Sequence, residues 1–87
     1  KKETLFIVTD RPDDVYKEIY EVTNHSATEF AATGCYSNKQ RKMLYSVVSS
    51  SEAKVLVSRV QKADPEAFIN VIKTDFLEGH FYQKVDY

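Results

Sequence analysis

Hydrophobic periodicity changes along this chain in one order: strand-like, helical, strand-like twice, helical, and strand-like again. Residues 4–8 are β-branched and aromatic enough for a strand. Asp10-Arg11-Pro12-Asp13-Asp14 then reads as a helix start. Proline in the first turn forfeits no hydrogen bond, and acids there complement the positive end of the helix dipole. Val15, Ile19 and Val22 recur at i, i+4 and i+7, so one helical face is apolar through about Thr23. Asn24-His25-Ser26 breaks that period, and residues 27–35, with Phe30, Ala31, Ala32 and Thr33, read as a second strand.

A polar, basic loop follows, and then an apolar strand over 43–48. Ser49 with Glu52 three residues on is a capping box, and Ala53, Leu56, Val57 and Val60 supply the face of a second helix. Asp64-Pro65 ends that helix, because a residue before proline is pushed out of the α region. Ala67 to Ile72 is the last clear strand, and the tail from Gly79 to Tyr87 has room for a further extended segment. Strand, helix, strand, strand, helix, strand is the split βαβ order. The expected fold is α+β and ferredoxin-like: a four-stranded antiparallel sheet with two helices on one face.

A sheet with one solvated face alternates apolar and polar residues. Leu5-Phe6-Ile7-Val8 and Met43-Leu44-Tyr45 are instead apolar on both parities. These are the strands expected at the sheet centre. Their second face calls for cover by another subunit, the tail or a partner; the alternative is a scatter of exposed apolar groups.

Size adds to that expectation. With 87 residues the chain makes one domain, read here as 1–87. So short a domain buries a modest share of its surface and commonly gains from disulfides, metals or oligomerisation. Cys35 is the only cysteine, so no disulfide forms within the chain, and self-association into a dimer or trimer is expected. A lone thiol fits a reducing compartment, with the cytoplasm as default. In its strand-like context Cys35 is expected to be buried and slow to react. The net charge of -1 and pI of about 6.1 give no global pull toward nucleic acid or anionic lipid. The opening Lys1-Lys2-Glu3-Thr4 runs straight into Leu5-Phe6-Ile7-Val8, too short a stretch for a secretory or membrane segment. So abrupt a start reads as a domain cut from a larger protein, the alternative being a short natural protein that starts this way.

The densest chemistry lies in Gly34-Cys35-Tyr36-Ser37-Asn38-Lys39-Gln40-Arg41-Lys42. Lys39, Arg41 and Lys42 place three cations in four positions, beside Tyr36 and Ser37. Arginine offers a donor fork for phosphate or carboxylate, and lysine a point charge. Asn38 tolerates a left-handed backbone and suits the turn. Tyr36, Ser37, Lys39, Arg41 and Lys42 are therefore the candidate binding set for a small anion. A solubilising hairpin with its charges in water is the commoner reading of such a charge run.

Other chemistries find little support. His25, His80 and Cys35 are too dispersed for a recognised metal-ligand spacing. Ser49-Ser50-Ser51 suits helix capping rather than nucleophilic catalysis, and no Gly-rich phosphate loop or cofactor motif is present. RNA-recognition modules share this element order, with a basic-glycine-aromatic motif on their third strand. Here that strand reads Lys42-Met43-Leu44-Tyr45-Ser46-Val47-Val48, without the glycine and with Tyr45 as its one ring. A nucleic-acid partner and an enzyme are not expected.

Five pieces occur in order: Gly34-x-Tyr36-Ser37, Arg41-Lys42-x-Leu44, Val47-Val48-Ser49-x-x-Glu52, Asp64-Pro65-x-Ala67-Phe68-Ile69 and Gly79-x-Phe81. Together they resemble the C-terminal cytoplasmic domain of YitT-type bacterial membrane proteins, a domain family of unknown function. Ser37-Asn38 stands where family members often carry threonine-glycine, and His80 where many carry a second glycine. The resemblance implies a ferredoxin-like fold akin to the trimeric nitrogen-regulatory signalling proteins. It also implies a preceding membrane domain, which would tether this domain to the cytoplasmic membrane. It supplies no ligand and no activity. The expectation is a non-enzymatic regulatory or sensor domain binding a small anion such as a nucleotide. The alternatives are a purely structural oligomerisation module, or a small enzyme or RNA binder on the same fold.

Overall fold

The computed structural model describes residues 1–79. In chain order it holds β1 (Lys2–Thr9), α1 (Pro12–Thr23), β2 (Thr28–Thr33), β3 (Gln40–Ser49), α2 (Ser50–Ala63) and β4 (Phe68–Thr74). The strands form one sheet in the order β2-β3-β1-β4, antiparallel at every junction. This is the expected ferredoxin-like arrangement, with β1 and β3 central. The tail read as a possible extended segment lies, beyond Gly79, outside the described residues.

Strand alternation sorts the sheet into two faces. Leu5 and Ile7 of β1 share a face with Leu44 and Val48 of β3. All four are buried in one core with Val15 and Ile19 of α1 and Ala53, Leu56 and Val60 of α2. Both helices therefore pack on that face. Ile69 of β4, opposite Ile7, borders the same core.

The second face carries a row of apolar side chains across all four strands: Phe30, Met43, Val8 and Phe68. Its outer members on the edge strands are 44% and 65% exposed, while Met43 and Val8 are half-buried. In the next row Phe6 and Tyr45 meet with ring centroids 5.4 Å apart.

Helix ends follow the expected local chemistry. At α2, Ser49 accepts from the Glu52 N–H at 3.1 Å, and the Ser49 N–H donates to Glu52 Oε1 at 2.8 Å. Asp64, in an extended conformation, ends the helix before Pro65. At α1, Asn24 takes a left-handed φ of 61° and its N–H closes on the Tyr20 carbonyl at 2.8 Å. Arg59 of α2 bridges to α1, with Nε donating to Glu18 at 2.7 Å and an Nη to Glu21.

The first and last strands run two residues longer than expected at one end, to Lys2 and to Thr74, and two boundaries at the β2–β3 connection differ in a way that matters for the site. The second strand stops at Thr33, and the third begins at Gln40 rather than residue 43. Pairing sets both limits: Thr33 opposite Gln40, Ala32 opposite Arg41 and Ala31 opposite Lys42 draw polar residues into the ladder. Cys35 consequently lies past the strand end, in the turn, and is exposed. The expected buried thiol is therefore incorrect, because its strand context ends two residues earlier.

Candidate functional site

The β2–β3 connection is a compact turn over Gly34–Lys39. The Gly34 N–H donates to the Lys39 carbonyl at 2.8 Å, and the Asn38 N–H to the Gly34 carbonyl at 2.7 Å. Asn38 takes the left-handed φ of 56° anticipated for it. A Cβ at Gly34 would sit 3.1 Å from Ser37 Oγ, tighter than an ordinary contact. That hydroxyl in turn accepts from the Lys39 N–H at 3.2 Å. The turn thus fixes where Lys39 leaves it and where β3 begins.

Two of the hairpin's cations converge on one carboxylate. Lys39 Nζ lies 2.8 Å from Asp10 Oδ2, and Arg41 Nε donates to Asp10 Oδ1 at 3.0 Å. Asp10 follows the last residue of β1, in the short connection to α1. The hydrogen bond from Lys39 is the main cause that holds its carboxyl below the ordinary value of 3.8, aided by Arg41 and opposed by desolvation. One acid against two bases leaves the corner with a formal charge of +1.

Two neighbouring side chains bond to partners other than Asp10. Lys42 follows Arg41 in the strand and so points to the opposite face, where its Nζ lies 3.6 Å from Glu29. Thr9 precedes Asp10 and points inward, its hydroxyl donating to buried Asp64 at 2.5 Å. The Arg11 N–H donates back to Thr9 Oγ1 at 2.9 Å, and Asp64 Oδ1 accepts from the Glu66 N–H at 3.0 Å. This buried network fixes the end of β1, and with it the backbone that presents Asp10.

A cleft of ≈ 400 Å³ opens at this corner, lined by Asp10, Lys39, Arg41 and Lys42, with Pro12 of α1 and Ala31 of β2 among the other walls. Of the candidate set, Lys39, Arg41 and Lys42 line the cleft. Tyr36 is fully exposed at the turn, and Ser37 serves the turn's own hydrogen bonding. Asp10 is the member that sequence reasoning missed. Its position before proline gave it a role at the helix start, and the partner 31 residues away is visible only in three dimensions.

Among the described residues no group of three or more His, Cys, Asp or Glu side chains is placed to hold a metal ion. No described helix is long and apolar enough to cross a membrane.

Comparison with known proteins places the chain in a family. The family described as "Uncharacterized protein conserved in bacteria (DUF2179)" matches residues 25–79. The chain is 32% identical over 80 residues to the UPF0750 membrane protein YitT of Bacillus subtilis (strain 168), covering 92% of this chain and 29% of that protein. It therefore spans less than a third of that relative's length. Among solved structures, a DUF2179 protein from Eubacterium ventriosum superposes with a TM-score of 0.65 at 18% identity, covering 82% of this chain and 97% of that one. A PII-like signalling protein from Thermus thermophilus gives a TM-score of 0.66 at 20% identity, covering 82% and 85%. At these identities the two structures speak for the fold alone.

Proposed function

The chain belongs to the DUF2179 family, and from that premise we propose that it is a non-enzymatic regulatory or sensor domain that binds a small anion. The observation that carries this reading is the convergence of Lys39 and Arg41 on one point of a cleft. Two cations held by a tight turn and a strand form a corner that suits phosphate or carboxylate oxygens. The relation to part of a membrane protein supports a membrane domain in the longer protein; on this reading the domain is tethered at the cytoplasmic face and reports ligand occupancy to that membrane domain. The fold shared with a PII-like signalling protein is in keeping with such a role. Residues 1–87 would act as one domain of the longer protein.

A ligand-stabilisation screen tests the reading, because a ligand that binds the folded state raises apparent stability by mass action. A panel of phosphate-bearing compounds, nucleotides included, should contain members that raise the melting temperature, with a gain that weakens as salt is added. A flat response across the panel argues for the second reading.

That second reading is a structural assembly module, and one observation favours it. The row Phe30, Met43, Val8 and Phe68 gives the second face an apolar band with well-exposed ends. Such a face suits another copy of the chain. Sedimentation at micromolar concentration should then show a dimer or trimer, and Phe68→Glu should shift it toward monomer. Self-association is compatible with anion binding, so the two readings are separated by the ligand panel and not by oligomeric state.

A further inference from the structure

We propose that Asp10 is a resident competitor at the anion site, which restricts the site to ligands more highly charged than a single carboxylate. This inference rests on the anion-binding reading and names how the site is regulated. Each Asp10 carboxylate oxygen meets one cation, Oδ2 with Lys39 and Oδ1 with Arg41. That is the arrangement a bidentate external anion would take. The cleft is therefore occupied by an anion of the chain's own.

The competitor is displaceable. The side chains of Lys39, Asp10 and Arg41 are 61%, 35% and 26% exposed. Ion pairs at such exposure are weak, since water and salt compete for each charge. Asp10 also lies between elements, beyond the last residue of β1 and before the N-cap Arg11, which makes no side-chain cap. Its side chain can swing away without breaking the sheet ladder. Arg41 reaches Asp10 through Nε, and Lys39 retains further Nζ donors for an incoming group.

Weakness alone does not admit every anion. A tethered carboxylate competes at the high effective concentration of an intramolecular partner. A free monocarboxylate brings the same charge without that advantage, so it loses. A phosphate dianion or a pyrophosphate brings more charge and more acceptor oxygens, so it wins. Displacement would also cut the tie between the β1–α1 junction and the β2–β3 hairpin. Occupancy is thereby converted into a change in how those two segments are held.

The test is a titration of wild type, Asp10→Asn and Asp10→Ser with inorganic pyrophosphate and with acetate, at constant ionic strength, by calorimetry. Thermal melts of each variant check that it is folded. Wild type should bind pyrophosphate and show no acetate affinity. Both Asp10 variants should bind pyrophosphate tighter by about threefold or more, the scale set by losing two exposed ion pairs, and should gain acetate binding. Adding Lys39→Gln and Arg41→Gln to Asp10→Asn should remove both affinities. If the Asp10 variants bind pyrophosphate with a smaller gain or more weakly than wild type, Asp10 is no competitor, although the anion reading stands. If neither wild type nor the variants bind, the anion reading itself fails and this inference goes with it.

Discussion

The Thr9 hydroxyl donates to Asp64 Oδ2 at 2.5 Å, joining the end of β1 to the end of α2 across 55 residues of sequence. The next side chain, Asp10, points the other way and meets Lys39 and Arg41. One strand end thus serves two purposes. Its inward residue anchors the fold, and its outward neighbour is presented to the cleft from an anchored backbone.

Thr9→Val should therefore destabilise the protein by about 1–3 kcal/mol, because it leaves a buried carboxylate short of a donor. Thr9→Ser should recover most of the loss. Urea unfolding of the three proteins checks this, and a neutral Thr9→Val would show that the buried network does not hold the strand end.

The capping box of α2 gives a second expectation. Ser49→Ala removes the acceptor for the Glu52 N–H and should cost about 1 kcal/mol, the usual worth of such a cap. Arg59→Ala, at the surface pairs with Glu18 and Glu21, should cost less than loss of the cap, since water and salt compete for such charges. The same denaturation series ranks the two.

A third expectation concerns pH. Asp10 is held below its ordinary 3.8, first by the hydrogen bond from Lys39 and then by Arg41. A carboxyl depressed on folding contributes stability that is fully present above its unfolded value and is lost as pH falls through its folded value. The contribution should thus be constant at neutral pH, start to decline as pH falls below about 3.8 and be gone only below the depressed folded value. Carbon-detected NMR titration should show the Asp10 midpoint rising toward 3.8 in Lys39→Gln. An unchanged midpoint would mean that the ion pair is not formed in solution.

Cys35 supplies the fourth. It lies exposed in the turn, so a thiol reagent should label it in the folded protein about as fast as in urea. Strong protection in the folded protein would contradict the exposed placement.

Element order, the central position of β1 and β3, the capping box at Ser49 and the stop at Asp64-Pro65 were legible in the sequence. Each depends on periodicity or on chemistry a few residues apart. The site was legible only in part. Lys39 and Arg41 stood out as cations, but Lys42 looked equivalent to them until Gln40 proved to be the first residue of β3. Strand alternation then sends Lys42 toward Glu29, away from Arg41. An apolar pattern could not reveal this, because the first three residues of that strand are polar. Asp10 was hidden for a different reason: its partners are 29 and 31 positions away and are brought near by sheet pairing alone. Cys35 was misplaced because its strand ends at Thr33, a limit set by cross-strand register and not by local propensity.

The most direct measurement of the central claim follows the Nε–H resonances of Arg41 and Arg59 while inorganic pyrophosphate is added at constant ionic strength. Both side chains donate through Nε to a carboxylate, at 3.0 Å and 2.7 Å, so each is a control for the other. The account predicts a saturable shift at Arg41 with no movement at Arg59. Equal movement of both, or of neither, would show that the corner formed by Asp10, Lys39 and Arg41 is not an anion site.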